Sequence, residues 1–257
     1  MTKIGRTLKM KTVTTNCIKW LREYFEANGN PKAVIGISGG KDSTVVAYLC
    51  AKALGPENVI GVLMPNGVQD DIDDSLEVVQ NLGIKWKKIN IRDAYVGLLN
   101  GLDVTPSDRS KVNLQPRLRM ATLYMVAQTE GGRVVGTGNL CERILGYFTL
   151  WGDGVSDVNP IGNTLVSEVL ELGEDLGVPD RLLHKTPSDG LSGMSDEEKF
   201  GFTYKEAEAV ILHHFSKVTS TVREKIERQI NSNLWKWNIG PSIPCFDDYG
   251  LKWHHKK

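Results

Sequence analysis

The chain is short of three things: cysteine motifs, long apolar runs and an excess of either charge. Its four cysteines, Cys17, Cys50, Cys141 and Cys245, are scattered over 257 residues and form no CxxC pair, which argues against a zinc site or a redox pair. No apolar run approaches the roughly 18 residues that span a bilayer, and the basic N-terminal segment lacks the apolar centre of a secretory signal. These absences predict a cytoplasmic protein with reduced thiols and no membrane partner.

The charges of the chain balance, with 31 Lys and Arg residues against 31 Asp and Glu residues. A general nucleic-acid binder usually carries a basic excess, so we expect no nucleic-acid partner. Apolar residues make up 40% of the chain and charged residues 24%, which is typical of a globular protein with a sizeable core.

The apolar pattern alternates between strand and helix signals along the chain. Short apolar runs predict strands at 33–37, 59–65 and 133–138, and the alternation of apolar and polar residues at 84–91 predicts a strand nearer an edge of the sheet. Helical spacing predicts helices at 12–27, 43–54, 70–83 and 113–130. Because strands alternate with helices, we expect an α/β fold, a single domain over residues 1–257 with a parallel sheet and helices on both faces.

Two stretches, 101–112 and 184–201, show no clear periodicity, and the second is rich in Gly, Ser and Asp. Structureless stretches of this length within a compact domain are often lids or binding loops, and an ordinary surface loop is the alternative. We expect 184–201 to order over bound ligands.

The segment "VIGISGGKDST" at 34–44 joins a predicted strand to a predicted helix. Ligands of parallel sheets bind at the carboxyl ends of the strands, and the N-terminus of a helix attracts phosphate. Gly39 and Gly40 permit close approach of the backbone and positive φ, while Ser38 and Ser43 add hydroxyl donors. Asp42 would repel a phosphate unless a cation lay between them, so this segment predicts bound Mg²⁺.

Two other phosphate-binding motifs are excluded here, because the spacing matches neither the Walker A loop nor the Rossmann GxGxxG. The plain alternative is a tight turn from strand to helix, capped by Asp42 or Ser43.

The "SGGKDS" motif resembles the pyrophosphate loop of the ATP pyrophosphatase (PP-loop) superfamily, which has an adenine nucleotide α-hydrolase-like fold. Four further stretches, 62–74, 113–124, 136–162 and 185–191, are similar in order and spacing to ammonia-dependent NAD synthetase. The block at 136–162, with "GYFTLWGDGVSDVNPIG", is the most specific of them. The resemblance implies a ligase that adenylates deamido-NAD with ATP and Mg²⁺, releases pyrophosphate, and then forms NAD as ammonia displaces AMP.

The resemblance also assigns roles to residues, none of them a covalent nucleophile. It implies an ATP site at Gly36, Ile37, Ser38, Gly39, Gly40, Lys41, Asp42, Ser43, Leu63, Thr137, Lys185 and Ser188. It implies a site for deamido-NAD at Arg117, Phe148, Asp157 and Lys236. Asp42 and Glu142 would share the metal.

The long helix at 113–130 carries two arginines that point to nearly opposite sides, so we expect only Arg117 to face the dinucleotide and Arg119 to be structural or exposed. The helical spacing of the same segment predicts a core stripe of Leu114, Leu118, Ala121 and Met125.

The resemblance further implies a homodimer with the substrate site at the interface and no glutaminase domain within the chain, so that ammonia is used directly or comes from a separate chain. The apolar helix at 12–27, with Trp20, Tyr24 and Phe25, is a candidate interface element, and a core helix is the alternative.

The chain departs from the family pattern at several cationic positions. Leu150 and Val166 stand where the family usually has lysine, "PSDGL" replaces the usual "PSADL", and the C-terminal His-Lys pair has no clean counterpart besides Lys236. Lys41 and Lys185 are the candidates to compensate. Three alternatives therefore stay open: another carboxylate acceptor, activation of an RNA base, and a nucleotide-binding module without catalysis. Balanced charge and isolated cysteines count against the RNA reading.

Overall fold

Four short strands form one parallel sheet in the computed structural model. The structure describes residues 3–69, 71–185 and 195–238, with side chains from residue 11 onward. The strands are β1 (Lys32–Gly36), β2 (Val59–Leu63), β3 (Lys85–Lys88) and β4 (Gly132–Val135). Their order in the sheet is β3-β2-β1-β4, and each neighbouring pair runs parallel. The predicted parallel sheet is confirmed.

Eleven α-helices occur in the described residues. They are α1 (Lys3–Ala27), α2 (Lys41–Leu54), α3 (Ile72–Leu82), α4 (Arg92–Asn100), α5 (Asp108–Glu130), α6 (Leu140–Leu145), α7 (Val166–Leu176), α8 (Asp180–Leu183), α9 (Asp196–Phe200), α10 (Tyr204–Ile211) and α11 (Ser220–Asn233). Short 3₁₀ turns follow at Pro56–Asn58, Phe215–Lys217 and Leu234–Asn238. None of the described helices combines the length and the hydrophobicity that crossing a bilayer requires.

The central strand β1 divides the core into two layers because successive side chains of a strand point to opposite faces. Ala33 and Ile35 pack into the apolar cluster of α1, α2 and α7, whereas Val34 packs into the cluster on the α5 side. All three side chains are fully buried. Helices therefore cover both faces, as the alternating pattern predicts.

Helix α1 contributes to this core instead of presenting an open apolar face. Phe25 is fully buried, and Trp20 and Tyr24 are partly buried against the same cluster. Of the two alternatives for this segment, an interface element or a core helix, the core helix is the one that these three residues support.

The core stripe predicted for α5 is wrong for Ala121 and Met125, whereas Leu118 is partly buried and packs against the core. Met125 is 59% exposed and Ala121 is also exposed, while the buried face carries Met120, Leu123 and Val126. Apolar residues lie on several sides of this helix, so their spacing alone does not identify the side that meets the sheet.

The stretches 101–112 and 184–201 were predicted to lack regular structure, and this is wrong for the C-terminal part of each, where a helix begins. Ser107 caps α5 by accepting a hydrogen bond from Ser110 N, so the helix begins at Asp108. In the second stretch, Ser195 caps α9 by accepting from Glu198 N. Residues 186–194 lie outside the described residues, so the predicted ordering over ligands stays a prediction.

The C-terminal helices build a separate apolar cluster that the periodicity did not predict. Ile144 and Leu145 of α6 pack with Val210 of α10 and Ile226 of α11. Polar N-caps start α10 and α11, where Thr203 and Thr219 accept backbone hydrogen bonds. This cluster places α6 and the turn at Leu234–Asn238 beside the carboxyl ends of the strands.

Candidate active site

A cleft of 490 Å³ lies where the turn after β1 meets the turn after β4. The structure brings eight of the predicted site residues to its wall: Ser38, Gly40, Asp42, Ser43, Thr137, Glu142, Phe148 and Lys236. They come from segments up to nearly two hundred residues apart, and the parallel sheet brings those segments to one edge.

The turn at 38–43 is held by hydrogen bonds among its own hydroxyls. The Oγ atoms of Ser38 and Ser43 lie 3.0 Å apart, Gly40 N donates to Ser38 Oγ, and Ser43 Oγ donates to the Gly40 carbonyl. The N-cap of α2 is Gly40, which offers no side-chain hydrogen bond. A turn capped by Asp42 or Ser43 is therefore not what forms. The first turn of α2 keeps backbone donors for an anion.

The two glycines of this turn have different roles. Gly39 adopts φ +78°, as predicted, and a Cβ there would lie 2.8 Å from Asp74 Cβ and 3.0 Å from Ser75 N. Gly40 has φ −82°, so the prediction of positive φ is wrong for this residue. Gly39 is required by the backbone and by the approach of α3, whereas Gly40 keeps the cleft side free of a side chain.

Asn139 joins the two predicted metal ligands. Its side chain caps α6 by accepting from Glu142 N at 3.1 Å, and Glu142 Oε2 accepts from Asn139 N at 2.9 Å. Asn139 Nδ2 also donates to Asp42 Oδ1 at 3.3 Å. Asn139 is fully buried and was missed, although its spacing to Glu142 is that of a capping box.

The charges around this pair are concentrated and little exposed. Lys41 Nζ lies 2.8 Å from Asp42 Oδ2, and the side chains of these two residues are 12% and 17% exposed. Burial and the neighbouring Asp42 raise the pKa of Glu142 above its usual range, an effect that Lys41 partly offsets. Burial acts to lower the pKa of Lys41, but the carboxylates of Asp42 and Glu142 outweigh it and the pKa is raised.

The donor set fits a hard divalent cation. The described residues contain no cluster of three or more His, Cys, Asp or Glu side chains that would hold a metal by themselves. Mg²⁺ commonly takes only one or two carboxylates and completes its octahedron with water and substrate phosphates. Asp42 and Glu142 beside the glycine turn at 38–43 match that pattern.

The opposite wall of the cleft is formed by the loop after α6 and the turn at Leu234–Asn238. Lys236 Nζ donates to the carbonyl groups of Gly146 and Phe148, and lies 4.9 Å from the centroid of the Phe148 ring. Burial lowers the pKa of Lys236. The two residues predicted to bind substrate here are therefore in contact.

Asp153 also lines this wall and was missed by the sequence reasoning. Burial raises its pKa, although its Oδ1 accepts a hydrogen bond from Thr149 N at 2.9 Å. The signal that could have found it is an acidic residue between the two glycines of "GDG" in the most specific block.

Several predicted site residues do not line the cleft, among them Gly39 and Lys41. Ile37 and Leu63 are buried in the core, at 3% and 0% exposure, and a Cβ at Gly36 would meet Met64 and Leu123. Ser188 lies outside the described residues.

Lys185 does not reach the cleft wall and contacts the N-terminal part of α3. Its Nζ lies 2.7 Å from Asp71 Oδ2 and 2.5 Å from Asp74 Oδ2. Asp74 in turn packs behind Gly39. Lys185 thus contacts the aspartate that packs behind the turn at 38–43.

Two residues predicted to bind the dinucleotide lie near α5, outside the cleft wall. Arg117 is exposed and donates from Nε to the Leu150 carbonyl, whereas Arg119 donates to the Met64 carbonyl. Asp157 accepts from Val134 N at 2.8 Å and lies 3.4 Å from the Tyr124 hydroxyl. Their roles in binding stay predictions.

A parallel α/β sheet with this glycine turn and an Asp–Glu pair defines the ATP pyrophosphatase class. The NAD synthase family model matches residues 13–238 of the chain. The chain belongs to the NAD synthase family.

Similar proteins cover nearly all of the chain. It is 38% identical to the NH(3)-dependent NAD(+) synthetase of Thermococcus sibiricus, over 90% of this chain and 91% of that protein. It is 35% identical to the structure of the NMN synthetase from Francisella tularensis, with a TM-score of 0.83 over 91% of this chain and 98% of that one. The NH3-dependent NAD synthetase from Campylobacter jejuni is 26% identical, with a TM-score of 0.76 over the same 91% and 98%.

Proposed function

We propose that the chain is an ammonia-dependent NAD synthetase, a ligase that converts deamido-NAD to NAD with ATP. The observation that supports this proposal is a single cleft lined by two groups of residues. The turn at 38–43 and Glu142 form one group, and Phe148, Asp153 and Lys236 form the other. Relatives 36–41% identical are named as enzymes of this reaction.

In the first half-reaction, the turn at 38–43 and the N-terminus of α2 bind the triphosphate through backbone N–H groups and the hydroxyls of Ser38 and Ser43. A nicotinate carboxylate oxygen attacks the α-phosphorus, and the bond to pyrophosphate breaks. Asp42 and Glu142 would hold Mg²⁺, which when bound neutralises charge on the phosphates. The chain contributes mainly positioning and charge stabilisation, so no covalent nucleophile is needed.

In the second half-reaction, the nitrogen of ammonia attacks the carbonyl carbon of the acyl-adenylate and AMP leaves. The attacking nitrogen must lose a proton, and the Asp153 carboxylate in the cleft wall is our candidate acceptor. Its raised pKa makes it a stronger base than an exposed aspartate. Lys236 fixes the carbonyls around Phe148 and so orients the ring that borders the acceptor.

Asp42→Asn tests the metal role of the turn. We expect AMP formation to fall on the order of a thousandfold, because the metal would lose an anionic ligand. Circular dichroism should show an unchanged fold. Turnover near that of the wild type at saturating Mg²⁺ would mean that the carboxylate only organises the turn.

The main assay combines deamido-NAD, ATP, Mg²⁺ and ammonium and measures NAD, AMP and pyrophosphate together. We expect the three products in equal amounts, and glutamine in place of ammonium to give no amide. Binding of ATP without release of pyrophosphate would instead support a nucleotide-binding module.

A second candidate acceptor is the nicotinate mononucleotide. The similarity to the Francisella NMN synthetase, with a higher TM-score than that of the Campylobacter enzyme, is the observation in its favour. Leu150 in the cleft wall, where the family usually has lysine, also leaves one cation fewer for a dinucleotide. The same assay with both acceptors, compared by kcat/KM, decides between them.

We also propose a cytoplasmic homodimer, formed through α4 and α5 instead of α1. Large apolar side chains of these helices and the segment between them are exposed: Leu98, Leu102, Val104, Val112 and Met125. Arg117 lies on the same helix, so a partner there would place it near an interface. Met125→Glu should yield monomers in light scattering, whereas Val68→Glu, at a residue 94% exposed, should not.

A further inference from the structure

Lys41 lies behind the cleft wall, and its ammonium group contacts Asp42, which lines that wall. Its side chain is only 12% exposed, and its Nζ lies 2.8 Å from Asp42 Oδ2. Buried lysines are rare unless they are paired, so this ammonium group is held by its surroundings. An ammonium group this close to a carboxylate is charged at neutral pH, and Asp42 is the partner that the geometry gives it.

An aromatic ring of α10 also lies near the ammonium group of Lys41. Lys41 Nζ lies 5.8 Å from the centroid of the Tyr204 ring, within the range of a cation–π contact. Asp196 accepts hydrogen bonds from the Tyr204 hydroxyl at 3.2 Å and from the Tyr147 hydroxyl at 2.8 Å. Tyr204 is 7% exposed, so the positions of Tyr204 and Asp196 are fixed by the packing of α9 and α10.

We propose that Lys41 is a built-in counter-ion of the Asp42–Glu142 pair, and that a divalent cation binds there only when it displaces the ammonium group from Asp42. This rests on the proposed function only in assigning that pair to the metal. Two cations that both touch Asp42 Oδ2 repel each other strongly in a poorly solvated site. The ammonium therefore lowers the affinity of the pair for a metal that arrives alone.

ATP changes this competition. Its phosphates add negative charge to the cleft, offer the displaced ammonium a new partner, and supply further metal ligands. The Tyr204 ring, 5.8 Å from Lys41 Nζ, offers the displaced ammonium group a place close to Asp42. Metal and ATP should therefore bind with positive coupling, and the chain should select the metal–ATP complex over free metal.

The test is a titration of the full chain with Mn²⁺ alone at constant pH. The concentration of free Mn²⁺ is measured by electron paramagnetic resonance. We expect Lys41→Met to bind Mn²⁺ on the order of tenfold more tightly than the wild type, within the usual range for coupled ligands. Lys41→Arg keeps the charge and should bind as weakly as the wild type. Lys52→Met removes the same charge from an exposed position at the other end of α2 and should have no effect.

Thermal unfolding of each variant checks the fold, and Lys41→Gln serves as a second neutral variant. Mn²⁺ binding by both neutral variants that is no tighter than that of the wild type would overturn the proposal, as would an equal gain in Lys52→Met. Absence of Mn²⁺ binding in every variant, with or without ATP, would overturn it together with the metal role of the pair. Formation of NAD by the wild type, with unchanged Mn²⁺ affinity in the Lys41 variants, would leave the proposed function standing and refute this inference alone.

Discussion

Gly39→Ala should destabilise the protein by more than the cost of positive φ alone, because two constraints act at this residue. The residue has φ +78°, which costs an L-residue about 1–2 kcal/mol. The added methyl group would also lie 2.8 Å from Asp74 Cβ and 3.0 Å from the backbone nitrogen of Ser75. Overpacking against a well-packed element typically costs about 1–3 kcal/mol. The expected loss is therefore about 2–5 kcal/mol of the free energy of unfolding.

The matched control is Gly83→Ala. Gly83 has φ +63° at the C-cap of α3, and a Cβ there would meet nothing within 4 Å. This variant measures the conformational cost without the contact, about 1–2 kcal/mol. The assay is urea unfolding followed by circular dichroism, together with the KM for ATP. Gly39→Ala should raise that KM because the turn or α3 must shift, whereas Gly83→Ala should not.

An equal free energy of unfolding for the two variants would refute the argument that α3 packs against the turn. An unchanged KM for ATP in a folded Gly39→Ala variant would refute the argument that the conformation of this turn sets ATP binding.

Two further variants test other parts of the structure. Glu130, which Lys87 and Lys85 contact, has its pKa lowered from 4.5 to about 2, so its contribution to stability is present above pH 4.5 and is lost as the pH falls toward 2. Glu130→Gln should therefore flatten the decrease in the urea midpoint as the pH falls below 4.5, and an unchanged slope there would contradict this. A Cβ added at Gly154 would overlap the Phe148 ring, so Gly154→Ala should cost about 1–3 kcal/mol in acceptor binding, read as a raised KM for the acceptor with the KM for ATP retained. Raised KM values for both substrates would show that the whole cleft has moved.

The sequence was sufficient for the elements whose signal is local. The strand, glycine turn and helix at 34–54 are encoded in adjacent residues, and so is the prediction that phosphate is bound there. The parallel sheet follows from alternation of short apolar runs with helical spacing, because parallel strands need a crossover between them. The block at 136–162 was specific enough to identify the family. That resemblance predicted Thr137, Glu142 and Phe148 as site residues, and all three line one cleft.

Only the tertiary structure decided which charges meet. Lys41 and Lys185 were equal candidates to replace missing cations, but packing directs Lys41 toward Asp42 and Lys185 toward Asp71 and Asp74. Side-chain contacts across distant segments depend on how helices pack, which periodicity does not encode. The buried side of α5 and the short C-terminal helices were missed for the same physical reason. Their apolar residues indicate that a face is buried, and only the neighbouring elements determine which one.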